Sequence, residues 1–376
     1  MASVINVGVV GCGYWGPNLA RNFDALPGCR LKAVCDSDAE RLRHMRSLYP
    51  EVEIHVDYDQ FLRDSSLDAV VIATGARHHH PMGKASLMTG RNTFIEKPIA
   101  TSSAECEELI RIAHERQLVL MAGHTYRYSP VVRRIKEIVD SGELGEIRYI
   151  SAQRLNLGVF QRDINVTWDL APHDLSIILY LMGEAPLSVN CQGSANVSPW
   201  IHDITNMWLA FPKNRSATIR SSWLDPRKSR EMTIVGSKKM IIYDDLANRE
   251  KIRIYDVRVE SPPHYDNFAD FHYNYHHGDV VIPYVNQEEP LKVECQHFLD
   301  CIRDGTEPLT HGGQALQVIQ ILEAASRSLE QDGAAVALAA DPVSQRGQPG
   351  AAGGSERNGT TASNHRPGKN PALLRP

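Results

Sequence analysis

The sequence predicts an α/β protein: an N-terminal Rossmann doubly wound parallel sheet, then an α+β domain with a large, mostly antiparallel open sheet. Three observations predict it. Short apolar runs alternate with amphipathic stretches over the first 123 residues, a glycine-rich loop follows the first run, and long β-like runs dominate after residue 124.

In chain order, Val4–Val10, Arg30–Cys35, Asp68–Thr74, Thr93–Glu96 and Leu118–Ala122 are rich in Val and Ile and read as strands. Between them, Asp38–Leu48, His79–Thr89 and Ser102–His114 read as helices, the last opened by a capping box of Ser102 and Glu105. After residue 124 a helix spans Val131–Ser141 and stops at Gly142. Strands follow at Ile147–Leu155, Leu187–Gln192, Asn206–Phe211, Ala217–Trp223, Met232–Val235, Met240–Tyr243 and Lys251–Tyr255. Short turns such as Pro212-Lys213-Asn214 make adjacent strands antiparallel. Helices at Val293–Arg303 and Gly313–Leu329 close the ordered part. The expected divisions are residues 1–123 for the doubly wound domain, 124–340 for the α+β domain, and 341–376 for a disordered tail.

The tail has six Gly and five Pro among 36 residues and no Phe, Trp or Tyr, too little apolar surface to offset its ordering entropy. The whole chain carries 40 Lys plus Arg against 45 Asp plus Glu, a formal charge of −5, which gives no footprint for nucleic acid or an anionic membrane. Without a basic leader, a cleavage site or an apolar run approaching 18 residues, the expectation is a cytoplasmic protein with no membrane contact. Seven scattered cysteines without a C-x-x-C pair read as buried reduced thiols, not a disulfide framework or zinc site. His78-His79-His80 is no metal site either, because consecutive side chains diverge and no acid or Cys at ligand spacing joins them. The aromatic-rich run 272–277 reads as an exposed loop or subunit contact in preference to a sugar-stacking surface.

Gly11-Cys12-Gly13-Tyr14-Trp15-Gly16 has the full context of a dinucleotide fingerprint: a strand before, a helix after, and Asp36 at the end of the next strand. Gly11 allows the tight turn, Gly13 lets backbone approach a pyrophosphate, and Gly16 permits close helix–strand packing. Tyr14 and Trp15 belong to the same cofactor-binding loop. The helix N-terminus offers free N–H groups to phosphate. Asp36 suits a ribose diol and repels a 2′-phosphate, and Ser37 and Asp38 follow it without an arginine, so NAD is preferred to NADP.

With these residues in view, the chain resembles the Gfo/Idh/MocA family of nicotinamide-dependent oxidoreductases over about residues 4–335. The carrying features are the Gly11–Gly16 loop, Thr74 with His79, Glu96-Lys97-Pro98, the block from Gly123 to Tyr128, and Trp168-Asp169-Leu170-Ala171-Pro172-His173-Asp174. The resemblance implies that Lys97 lies between nicotinamide and substrate, that Asp169 and His173 complete the catalytic set, and that Thr74, His79 and Glu96 line the cofactor. It also implies a homodimer or homotetramer built through the C-terminal sheet. The run from Arg154–Gly158 to the Trp168-Asp169 block is most similar to those of members in nucleotide-sugar and polysaccharide pathways, some of which oxidise C3 of a UDP-acetamido-sugar or its uronate. Two segments depart from the family pattern: residues 163–168 replace a glycine-rich approach, and Gly75-Ala76 replaces Pro-Asn after Thr74.

Hydride transfer from a secondary alcohol needs a base for the hydroxyl proton and a positive group for the developing oxyanion. His173 is the expected base and Lys97 the polarising cation. Asp169 and His173 are four apart, so one helical face could pair them, with the carboxylate orienting the imidazole and favouring its protonated form. Pro172 is tolerated in a first helical turn, which makes Asp169 equally a candidate N-cap. Tyr126, Arg127, Arg154 and Asn156 are candidates for a sugar or nucleotide-sugar substrate. Two further readings remain: an NAD-dependent glycosidase acting through transient C3 oxidation, and a non-catalytic NAD-binding regulator.

Overall fold

The computed structural model describes residues 4–162, 164–260 and 273–338; the expected tail at 341–376, Asp163 and His272 lie outside the described residues. β1 (Ile5–Val10), β2 (Cys29–Cys35), β3 (Glu53–His55), β4 (Ala69–Ile72), β5 (Asn92–Glu96) and β6 (Leu120–Gly123) form a parallel sheet in the order β3-β2-β1-β4-β5-β6. Every residue of β4 is buried, as a parallel strand covered on both faces requires. The covering helices are α1 (Gly16–Ala25), α2 (Ala39–Leu48), α3 (Tyr58–Leu62), α4 (His79–Met88) and α5 (Ser103–Glu115). Ser102 caps α5 by accepting from the Glu105 N–H at 3.3 Å, but Glu105 returns its bond to the Thr101 N–H at 2.9 Å.

The second half begins with α6 (Pro130–Asp140), β7 (Ile147–Leu157) and α7 (Val166–Met182). Six strands follow: β8 (Ser188–Ser194), β9 (Ile204–Phe211), β10 (Arg215–Ser222), β11 (Leu224–Gly236), β12 (Met240–Asp244) and β13 (Ile252–Glu260). Then come β14 (Asn274–Val281), α8 (Pro290–Asp304), α9 (Gly312–Glu330) and β15 (Val336–Ala337). These strands make a nine-stranded sheet ordered β14-β13-β12-β11-β7-β10-β9-β8-β15, antiparallel except where β10 meets β7. The predicted hairpin joins β9 to β10, with Lys213 and Asn214 both at positive φ (59° and 57°), the backbone a type I′ turn demands. One face of this sheet packs on α6, α7 and α9 through Ile135, Leu175, Ile178 and Leu322.

Three outcomes differ from the sequence reading. The aromatic run is not a loop: Val257 pairs with His277 and Val259 with Tyr275, which makes β14 an edge strand. Pro172 sits inside α7, well past its first turn, and the N-cap is Asn165, whose side chain accepts from the Thr167 and Trp168 N–H groups at 3.1 and 3.2 Å. Asp169 is therefore a helical residue and not the cap. Finally, α8 leaves the second sheet and packs on the first, where the Phe298 ring meets Phe23 and Phe94 edge-on at 6.3 and 5.8 Å.

Candidate active site

In the first sheet the strand order reverses between β1 and β4, which opens a crevice beyond their carboxyl ends. The glycine loop lies there. Gly11 has φ +91°, and a Cβ on it would lie 2.7 Å from the Ala73 carbonyl. A Cβ on Gly16 would collide with the Gly11 carbonyl oxygen, so α1 is seated directly against the loop. Gly13 faces open space, its nearest neighbour being Arg41 Nη1 at 3.6 Å from a built Cβ. No side chain caps α1, no acid lies in its first turn, and Pro17 sits at its start. Its N–H groups are thus left for an anion.

Asp36 is buried at the end of β2. Its Oδ2 accepts from the Cys12 N–H at 2.7 Å and its Oδ1 from the Asp38 N–H at 2.8 Å. Each oxygen keeps a lone pair for a ribose hydroxyl. Arg41, which its distance in sequence concealed, approaches both Asp36 and Asp38 at 3.6 Å. A glycine cradle, an uncapped helix and this carboxylate together fit a dinucleotide.

At the ends of β4 and β5 the expected residues gather. His79 is buried, with Nδ1 2.7 Å from the Pro98 carbonyl and Nε2 2.9 Å from that of Thr74, so it ties two loops together. Its pKa is lowered, chiefly by burial. Thr74 lies at the mouth of that loop, its Oγ1 3.8 Å from Met82 Sδ. Glu96 accepts from Trp15 Nε1 at 2.5 Å, joining β5 to the glycine loop. The other two histidines go elsewhere: His80 meets Glu108 at 2.8 Å and His78 meets Arg77 at 3.0 Å.

Pro172 has no N–H for the Trp168 carbonyl. One residue on, the Asp169 carbonyl accepts from Lys97 Nζ at 3.0 Å. The same ammonium lies 3.5 Å from Asp169 Oδ1. Trp223 Nε1 donates to Asp169 Oδ2 at 3.1 Å. The Asp169 carboxylate thus faces Lys97 and Trp223; among the described residues no side-chain bond joins it to His173, contrary to the pairing its spacing suggested. The His173 Nδ1 is buried without a hydrogen-bond partner. Burial first, then Lys97, Arg154, His124 and Arg230, hold the imidazole well below its ordinary pKa of 6.5. It is neutral at pH 7, not protonated as the sequence argument favoured. His124 behind it is held down to about 3 by burial, Arg127 and Lys97.

His173 opens onto a cavity of about 510 Å³, in the range of about 300–1,000 Å³ usual for small-molecule sites. Tyr14, Trp15 and Asn18 of the glycine-loop side form one wall, and Arg154 and Asn156 of β7 form the other. Tyr126 lies between, its ring edge-on to His173 at 5.1 Å. Arg154 is held by two bonds to Asp174, at 2.9 and 3.0 Å. Arg127 is not in the cavity: it is buried over the Tyr180 ring at 4.1 Å and bonded to Gln314.

Comparison with known proteins reads this geometry directly. The profile described as "Oxidoreductase family, NAD-binding Rossmann fold" matches residues 5–124, and the GFO/IDH/MocA C-terminal domain matches residues 132–242. The chain belongs to the Gfo/Idh/MocA family. Among curated relatives, UDP-N-acetylglucosamine 3-dehydrogenase of Acidithiobacillus ferrooxidans is 28% identical over 65% of this chain and 75% of its own length. The scyllo-inositol 2-dehydrogenase (NAD(+)) of Bacillus subtilis is 23% identical over 87% and 95%. The fold is shared with the crystal structure of GenD2 from gentamicin A biosynthesis in complex with NAD, with a TM-score of 0.76 at 22% identity over 90% and 98% of the two chains. As a member of Gfo/Idh/MocA, this chain is an NAD(P)-binding dehydrogenase acting on CH–OH groups.

Within this Gfo/Idh/MocA site several residues had no local signal in the sequence. Trp223, Lys228, Arg230 and Asp245 come from the second sheet, and the last three line the cavity. Glu294 on α8 is buried, with one carboxyl oxygen accepting from Thr125 Oγ1 at 2.6 Å and the other unpartnered. Burial and Glu96 push its pKa up. Glu96 itself is raised from 4.5 to about 7, mainly by burial. The folded protein therefore binds a proton that the unfolded chain releases between these values, and stability falls as pH rises through that window. Glu96→Gln keeps an acceptor for Trp15 and removes the penalty. Thermal melts of the cofactor-free protein should show the variant more stable than wild type at pH 8, by about 1–3 kcal/mol, with the difference gone near pH 4.

Proposed function

We propose that this protein is an NAD-dependent dehydrogenase that moves a hydride between nicotinamide and a secondary hydroxyl of a sugar or nucleotide-sugar, such as C3 of a UDP-acetamido-sugar or its uronate. The observation that carries it is the single cavity bordered by the glycine loop and by His173. NAD supplies the hydride acceptor. Gly11, Gly13, Tyr14, Trp15, Gly16 and Asp36 would hold it, and Thr74, His79, Glu96 and Lys97 would line its reactive end. NAD is favoured over NADP because the Asp36 carboxylate would repel a 2′-phosphate and Arg41 already lies against two carboxylates.

His173, neutral at working pH, accepts the hydroxyl proton; in the reverse direction it returns it. Lys97 spends donors on the Asp169 carbonyl and carboxylate and keeps its remaining one for the substrate oxygen. Trp223 acts through Asp169, setting the carboxylate that sets the ammonium. Trp223→Phe keeps the ring and deletes the N–H: kcat should fall about 10-fold, as losing a bond to a charged group predicts, with KM for NAD unchanged. Equal loss with Asp169→Asn present or absent would confirm independence and count against this coupling.

Residues 1–123 would carry the cofactor and 124–340 the substrate side. The far face of the nine-stranded sheet, where Tyr149 and Trp208 are half exposed, is the proposed contact of a homodimer or homotetramer. Among the described residues no helix is long and apolar enough to cross a membrane. The direct test is NADH formation with UDP-acetamido-sugars, uronates and inositols. Net NADH accumulation distinguishes this reading from a glycosidase, which returns its hydride; no turnover with any of them favours a regulator.

A further inference from the structure

The second sheet contains a break in register beside the cavity. Leu224 of β11 pairs with Leu157 of β7, and pairing resumes at Ser229 with Leu155, so Asn156 alone faces the four residues from Asp225 to Lys228. Bulges re-aim side chains and are enriched next to active sites. Here the bulge delivers Lys228 to the cavity wall, with Arg230 two residues on and Arg154 directly across the ladder from Arg230.

Two arginines in opposed positions repel unless negative charge offsets them. Asp174 offsets Arg154. Asp245 is shared out: it lies 3.4 Å from Arg230 and 3.9 Å from Lys251, and the Tyr126 and Tyr243 hydroxyls reach it at 3.2 Å each. The cavity's other acid, Glu289, is bonded to Arg21. Among the described residues the Lys228 side chain has no hydrogen bond and no ion pair, although Lys228 lines the cavity. In a chain of net charge −5, three cations on one wall are a local concentration of the opposite sign.

Tyr126 connects this cluster to the chemistry. Its hydroxyl accepts from Arg154 and Arg230 at 3.1 Å each, while its ring contacts His173. The cationic wall and the base are one tyrosine apart. We infer that the β11 bulge is an anion receptor: Lys228 and Arg230 bind the acidic group of the substrate, a carboxylate or a phosphate, and so place its hydroxyl at His173. This rests on the dehydrogenase reading above and adds to it that the substrate is an anion, and which residues select it.

Calorimetric titration of the NAD-loaded protein with glucose, glucuronate, glucose 6-phosphate and UDP-glucose tests the receptor without requiring turnover. At least one acid should bind about 10-fold more tightly than glucose, as a charge-assisted pair predicts. Lys228→Ala should remove most of that preference; Lys228 is exposed and unpaired, so its thermal midpoint should stay at the wild-type value. A preference confined to glucuronate assigns the carboxylate, and one confined to the phosphorylated probes assigns the phosphate; both uphold the receptor. Binding of no acid, equal binding of glucose and all three acids, or a preference that survives Lys228→Ala combined with Arg230→Gln overturns it. NADH absorbance, followed separately, reports on the dehydrogenase reading: acids that bind without reducing NAD would sink that reading and leave the receptor standing.

Discussion

Lys97→Ala and His173→Ala should each lower turnover by about 10²-fold or more while leaving NAD affinity within a few-fold of wild type. Neither residue belongs to the glycine loop or to Asp36, so the pyrophosphate and adenosine contacts survive both changes. His173→Ala removes the only histidine on the cavity wall among the described residues, and with it the proposed acceptor of the substrate proton. Lys97→Ala does more than delete a charge: the Asp169 carbonyl loses its side-chain donor. The pH profile carries a second check. With its pKa depressed by burial and by surrounding cations, His173 stays in its basic form throughout the neutral range and is protonated only well below pH 6.5. The acid limb of kcat/KM should accordingly show no inflection near 6.5. Near-wild-type turnover in either variant, or a limb at the ordinary histidine value, would refute these roles.

Gly16→Ala should be the most damaging change in the cofactor half. The new methyl would meet a backbone carbonyl, that of Gly11, which cannot rotate aside as a side chain would. Overpacking of this kind typically costs about 1–3 kcal/mol, and more where only backbone can yield. Shifting α1 also withdraws the N–H groups aimed at phosphate, so NAD affinity should drop by about 10²-fold with a lowered thermal midpoint. Gly13→Ala is the control. Its methyl meets only the end of Arg41, so the fold should keep its midpoint while the backbone can no longer approach the pyrophosphate. Melts and fluorescence titration with NAD on both variants separate packing from binding; equal midpoints for the two would remove the argument.

The parts legible in the sequence share one property: their signals are local. The glycine loop, the buried runs of β1, β2, β4 and β5, and Asp36 at the next strand end are all spelled by neighbouring residues. β3 and β15, three and two residues long, are too short to show a period and exist because β2 and β8 offer them an edge. β14 has exposed residues along nearly its whole length and no apolar alternation, so only its pairing with β13 makes it a strand.

Site residues divide the same way. His173 and Lys97 as candidates, and Gly11–Gly16 as a dinucleotide loop, followed from residue type, spacing, strand-end position and the family resemblance. Helical spacing set Asp169 beside His173, but its side-chain partners come from 72 and 54 residues away: Lys97 just after β5 and Trp223 just before β11. Arg127 and Arg154 looked alike as basic residues; burial over Tyr180 removed one from the cavity and an aspartate fixed the other in its wall. Lys228 and Arg230 depend on a register break between strands about 70 residues apart in the chain, which no period within either strand encodes. Fold class and cofactor chemistry were written in short-range pattern; the direction in which each charge points was decided by long-range pairing, since only packing determines which side chain can reach another.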